Sequence, residues 1–377
     1  VSSDPTRSTV VLVGRPDAEA GSTPAVFVDP STARVLGEGS ARSPFFSAVL
    51  TLHRSLFADT VGRIAVELAT SWTLVLLVSG LYLWVPARWT DLWGVWLPRL
   101  RANPYLVLRD LHTVGGLLFT PVLALIAFTG LFFTVVWLWS FNTVAAKAGD
   151  FPRELLAAPP VEKPSVPPPP TAIDAAVAAA RERFPTHNLS VQLPKKPTDA
   201  YAVTARGDSG SSVSGSVAVE PATGRVVSAA RAEDLPPAAQ ARLYVLPVHM
   251  GTIGGTATKV LAFAACLALA VLAVSGVWMW LARRPEGRWG FPRASAARVP
   301  KLAVVLILLL AVLLPTVGLS LVVVLAGEWV YGRLTRRTAD PATTDTPLEV
   351  PVLPPVVPAP PAGAGLTTHP PIPEVQT

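Results

Sequence analysis

The chain has 377 residues, 51% of them hydrophobic and 15% charged, with a mean hydropathy of +0.46. Soluble domains carry about 25% charged residues, so this composition argues for a membrane protein. The net charge of +6 comes from arginines in short loops and not from a basic patch interleaved with aromatics, which excludes nucleic acid as a partner, and the single Cys266 excludes an internal disulfide or a cysteine metal cluster.

In chain order, residues 1–45 are mostly polar and read as the C-terminal part of a small outer module. Segment 46–85 is an interfacial stretch leading into a first membrane helix, apolar over 64–85 apart from Glu67, an acid whose place near a span flags function. Loop 86–111 carries Arg88, Arg99, Arg101 and Arg109. A second membrane helix is expected over 112–139. A second outer module covers 140–245: "VPPPP" at 166–170 is a stiff linker, "TAIDAAVAAARERF" at 171–184 has helical periodicity, and the segments after it alternate like strands. Such a helix followed by a strand meander makes an α+β unit.

A third membrane helix is expected over 246–282, an arginine-rich loop over 283–301 and a fourth helix over 302–330. The Pro-rich segment 331–377 reads as a disordered tail containing His369. Tryptophans and tyrosines gather at span ends, as an interfacial belt predicts. The positive-inside rule places loops 86–111 and 283–301 in the cytoplasm and both modules outside, although Arg333, Arg336 and Arg337 pull the last end the other way.

An internal repeat organises these segments. "VFVDPSTARVLGE" at 26–38 matches "VAVEPATGRVVSA" at 217–229. His53 precedes the Ser79–Gly80 pair by 26 residues, and His249 precedes Ser275–Gly276 by the same 26. "SGLYLW" then matches "SGVWMW". Each half should therefore read span, module, span, with the first span of the first half missing. His112 and Glu220 are 108 residues apart whereas 28 residues precede Asp29. Equal repeats would put about 80–100 further residues, one helix among them, ahead of this sequence; a naturally short variant is the alternative.

The turns above, with "LHRSL", "RDLHTVGG", "VHMGTIGG" and the two Ser-Gly span ends, resemble the PepSY-associated transmembrane family of bacterial iron-regulated membrane proteins, over about residues 10–330. The resemblance implies a polytopic α-helical protein of the bacterial inner membrane, surrounded by lipid, with extracytoplasmic α+β PepSY-like modules. It further implies haem on span histidines and outward reduction of a ferric-siderophore or similar chelate. The family's first span carries an "LHRWLG"-like histidine motif that has no counterpart here.

Beside that resemblance, the histidines have a chemistry of their own. Two imidazoles are the usual ligands of a low-spin, electron-transferring haem. His53 and His249 each lie 11 residues before their continuous apolar run, so equal depth lets them serve as the axial pair of one haem. His112, with Gly115 behind it, is a candidate ligand for a second, inner haem whose other ligand would come from the missing helix, giving one or two haems of b type, while Gly251 lets the macrocycle approach the backbone. Arg54 and Arg109 are candidates for the haem propionates. No flavin or nicotinamide motif is visible, so the electron donor is a quinol or a partner reductase. His187 reads as a surface residue. Two other classes compete: a non-catalytic membrane regulator that restrains an extracytoplasmic partner, and a transporter, disfavoured because only Pro121 and Pro315 interrupt the spans.

Overall fold

The computed structural model describes residues 1–2, 4, 6–13, 24–40, 42–86, 88–148, 158–163, 169, 171–207, 212–284 and 301–338. The proline linker at 166–170 (Pro169 apart), the arginine-rich loop from 285 and the tail with His369 lie outside the described residues. Val1–Val324 form one compact unit, and a second begins at Leu325. In that second unit the Arg333 guanidinium lies 4.1 Å from the Trp329 ring centroid.

Four helices are long and apolar enough to cross a membrane. They are α2 (Asp59–Trp84), α3 (Pro104–Leu131), α7 (Gly255–Arg283) and the part Pro315–Arg333 of α9 (Pro315–Thr338). Helix α3 is central and packs against both α2 and α7. Its start is set by Asn103, whose side chain accepts from the Leu106 amide at 2.9 Å, and by Pro104 in the first turn. A short helix precedes each module-side entry to the membrane: α1 (Pro44–Ser55) before α2, and α6 (Pro237–His249) before α7. Gly62 lets α2 start directly against the Ser55 carbonyl, where any side chain would collide.

Two of the expected spans are not continuous helices. The run over 112–139 breaks at Phe132–Val135, and a new helix, α4 (Val136–Ala148), begins. The cause is Glu67: its carboxylate accepts from the amides of Val135, Val136 and Trp137 at 3.0, 2.8 and 2.8 Å. These are orphan donors of a new helix start, satisfied as an N-cap satisfies them. The run over 302–330 likewise divides into α8 (Lys301–Leu313) and α9, because Pro315 can neither donate its amide nor tolerate a helical residue before it. A Cβ on Gly318 would sit 2.6 Å from the Ala311 carbonyl oxygen. Seven residues of straight helix would separate these by about 10 Å, so the chain bends sharply at Leu314.

The second module is helix α5 (Ala172–Arg183) on a four-stranded antiparallel meander of β4 (Asn188–Gln192), β5 (Tyr201–Arg206), β6 (Val213–Val219) and β7 (Val226–Arg231). Ala172, Ala176 and Ala180 recur every four residues and are buried, so α5 lies close on a core of Leu189, Val203, Val217 and Val219. Before α1 lies a smaller three-stranded sheet of β1 (Thr9–Leu12), β2 (Pro24–Val28) and β3 (Val35–Ser40).

The two repeat-related turns share one hydrogen-bond pattern. Asp29 N donates to Arg34 O and Ala33 N to Asp29 O, each at 2.9 Å; Glu220 N donates to Arg225 O and Gly224 N to Glu220 O, again at 2.9 Å. The Ser31 hydroxyl and amide also bond the Asp29 carboxylate and hold it below its ordinary pKa. The corresponding left-handed positions are Ala33 at φ 56° and Gly224 at φ 70°. Only glycine adopts that region without cost. Ala33→Gly is therefore expected to stabilise the first sheet by about 0.5–1 kcal/mol, read as a raised unfolding midpoint; a lowered midpoint would show that the turn relaxes around alanine.

Candidate functional site

The end of α1 and the end of α6 bring His53 and His249 face to face. Their ring centroids are 6.2 Å apart, with the planes tilted by 37°. His249 is the more enclosed: its Nδ1 lies 2.9 Å from the Ile126 carbonyl oxygen of α3. A carbonyl only accepts, so Nδ1 carries the proton and Nε2 keeps its lone pair. Thr129 spends its own hydroxyl hydrogen on the Leu125 carbonyl at 2.7 Å and lies 3.4 Å from the same Nδ1. Gly130 makes the room, since a Cβ there would be 3.0 Å from His249 Cε1.

His112 occupies the other end of α3, about 21 Å from Ile126 along the helix axis at about 1.5 Å per residue. Its Nδ1 is 2.8 Å from Ser275 Oγ on α7. Ser275 donates its hydrogen to the Val271 carbonyl at 2.6 Å, so it accepts from His112 and leaves that Nε2 free as well. Gly276 faces the same ring, a Cβ there falling 3.4 Å from His112 Cε1. The Ser-Gly pair of the second half thus cradles a histidine. Ser79 and Gly80 of the first half are exposed, with nothing within 4 Å of a Cβ on Gly80.

The other expected site residues fall elsewhere. Arg109 is 2.8 Å from Asp110, a fully buried carboxylate that also holds Arg99 at 2.6 Å. That cluster ties the loop after α2 onto the start of α3. Arg54 is exposed beside His53. Gly251, at φ 65°, makes the left-handed turn out of α6, and a Cβ there would lie 2.7 Å from Thr258 O and Ala262 Cβ, so its work is helix packing. Gly115 has open space around it. The glycines that bound the histidine rings are Gly130 and Gly276. The first carried no sequence signal; the second stood in the repeated Ser-Gly pair.

Apolar spans with β-sheet modules between them define a multi-span α-helical membrane protein with modules outside the bilayer. Among known families, the one described as the PepSY-associated TM region matches residues 1–283. The chain belongs to that family. None of the curated proteins compared with it matches.

Proposed function

We propose that this protein holds haem between His53 and His249 and passes electrons outward across a bacterial inner membrane to a ferric-siderophore or similar chelate. The observation that carries this reading is the facing imidazole pair at 6.2 Å. Two imidazoles on one metal place their ring centres roughly 6 Å apart, since each metal–nitrogen bond is about 2 Å and each nitrogen lies about 1 Å from its ring centre. The Ile126 carbonyl fixes the His249 tautomer, the second-shell bond that ligating histidines require. Among the described residues no three His, Cys, Asp or Glu side chains converge on a bare-metal site, and a porphyrin asks the protein for two. When bound, haem would supply a one-electron carrier within the membrane. His112, oriented by Ser275, is proposed as a ligand of a second b-type haem at the other end of α3. The ferric chelate is the substrate; reduced iron has lower charge and is held less firmly by hard oxygen ligands, so it leaves. Quinol or a reductase is the proposed donor.

The family match carries no redox chemistry of its own and sits more directly with a second reading. In that reading the protein is a non-catalytic PepSY membrane protein whose modules bind or restrain an extracytoplasmic partner. The bonds of His249 to Ile126 and of His112 to Ser275 then simply satisfy half-buried rings. An optical spectrum separates the two. Protein purified from haem-supplemented cells should show a Soret band and sharp α and β bands on reduction; a featureless visible spectrum sinks the haem reading and leaves the second.

The duplicated architecture belongs to the same proposal. Its support is the pair of matching turns, together with a Ser79–Gly80 face that is open where Ser275–Gly276 is covered by α3. Sidedness has its own test, in a Cys266→Ser background. Lys196→Cys on the second module should react with an impermeant maleimide in intact cells, and Arg101→Cys should not, because arginine density marks the cytoplasmic loops. The opposite pattern would remove outward electron flow.

A further inference from the structure

Helix α6 has two working faces. Arg242, Val245 and His249, spaced i, i+3, i+7, turn toward the membrane core: Arg242 lies over Phe132 at 5.3 Å, and Val245 joins the cluster around Leu131 and Trp137. Gln240, Leu243 and Tyr244 fall on the opposite face and form one wall of a groove of about 550 Å³. That volume is in the range of small-molecule sites, roughly 300–1,000 Å³. The other walls belong to the second module: Arg183 at the end of α5, His187 after it, Ser212 and Ser214 at β6, and Arg231 at the end of β7.

The chemistry of this groove is lopsided. Two guanidinium groups and several hydroxyls line it against one carboxylate, Glu233, 3.3 Å from Arg231. The His187 ring, packed edge-on against Phe184 with centroids 5.7 Å apart, completes the wall. Tyr244 stands five residues before His249, about 7.5 Å along the helix axis.

We propose that this groove binds a small anionic, oxygen-rich chelate and holds it against the helix that ends in His249. Guanidinium groups bind carboxylate oxygens in two-pronged fashion, so both arginines should matter. For the chelate as electron acceptor this rests on the haem reading; for the chelate as ligand it does not, and the probe keeps the two apart. Gallium(III) citrate, a redox-inert analogue of a ferric tricarboxylate, is titrated calorimetrically into the detergent-solubilised full chain, with free citrate as comparison.

The expected result is saturable binding, tighter for the gallium complex than for citrate, and weakened about tenfold or more in Arg183→Gln/Arg231→Gln. Lys196→Gln, an exposed cation elsewhere on the module, should change it by less than about twofold. Both groove arginines are solvent-accessible, so the double variant should fold; its unfolding midpoint checks this, and the single variants serve if it does not. Absence of saturable binding, an undiminished double variant, or equal affinity for free citrate would each overturn the assignment. Protein that binds the complex but shows no haem spectrum when purified from haem-supplemented cells would defeat the electron-transfer reading while leaving the groove intact.

Discussion

Glu67→Ala should destabilise the helical core by about 3–5 kcal/mol. The carboxylate is fully buried and receives three backbone N–H groups at the break between α3 and α4. Alanine leaves those donors unpaired where lipid and packed side chains offer no water. Arg63, on the preceding turn of α2, would then hold the break through its contact with the Phe133 carbonyl at 3.4 Å. Glu67→Gln keeps one acceptor oxygen but turns an amide toward N–H groups, so it should fall between wild type and alanine. Thermal unfolding in detergent, followed by tryptophan emission, measures the order. A loss no larger than that of Val66→Ala would mean that the break is held by packing, and Glu67 would return to the list of functional candidates.

The second large effect concerns the facing histidines. His53→Ala and His249→Ala should each abolish most of the low-spin haem signal, about tenfold or more, and the double variant should add little. Residues acting on one centre are not additive. Gly130→Ala offers a sharper probe. It improves helix propensity, yet its Cβ would press on His249 Cε1 from 3.0 Å. Its haem content should drop while its unfolding midpoint holds. His187→Ala should leave the spectrum unchanged. If the two single histidine variants lose separate, additive shares of haem, or neither loses any, the shared-centre idea fails and the rings are structural.

Much of this arrangement could be read before any coordinates. Long apolar runs and the α5-plus-meander module follow from periodicity, because burial in lipid or against a sheet acts on residue type directly. Equal spacing from histidine to Ser-Gly placed His53 and His249 at one depth, and their rings do face each other. What remained hidden is long-range. Glu67 lies in one helix and breaks another about 70 residues later, which no local window can register. The Ile126 carbonyl and Gly130 that orient His249 carry nothing distinctive in sequence, since a backbone oxygen has no letter. Gly251 had the opposite fate: a glycine beside a histidine suggested cofactor access, and the left-handed turn out of α6 accounts for it.

The bend at Leu314 bears on the lipid that surrounds the protein. Helix α8 has 13 residues before it turns, about 20 Å of rise against a hydrocarbon core of about 30 Å. Its last carbonyl is not left to lipid, since the Trp137 indole donates to Leu313 O at 3.1 Å, and just beyond the bend the Thr316 hydroxyl donates to the Ser71 hydroxyl at 3.1 Å. A short, cross-braced segment of this kind creates hydrophobic mismatch on one side of the protein only. Each ångström of mismatch costs a fraction of a kcal/mol. Acyl-chain length should therefore tune this flank selectively, with the α8 side most secure in thin bilayers and first to loosen in thick ones.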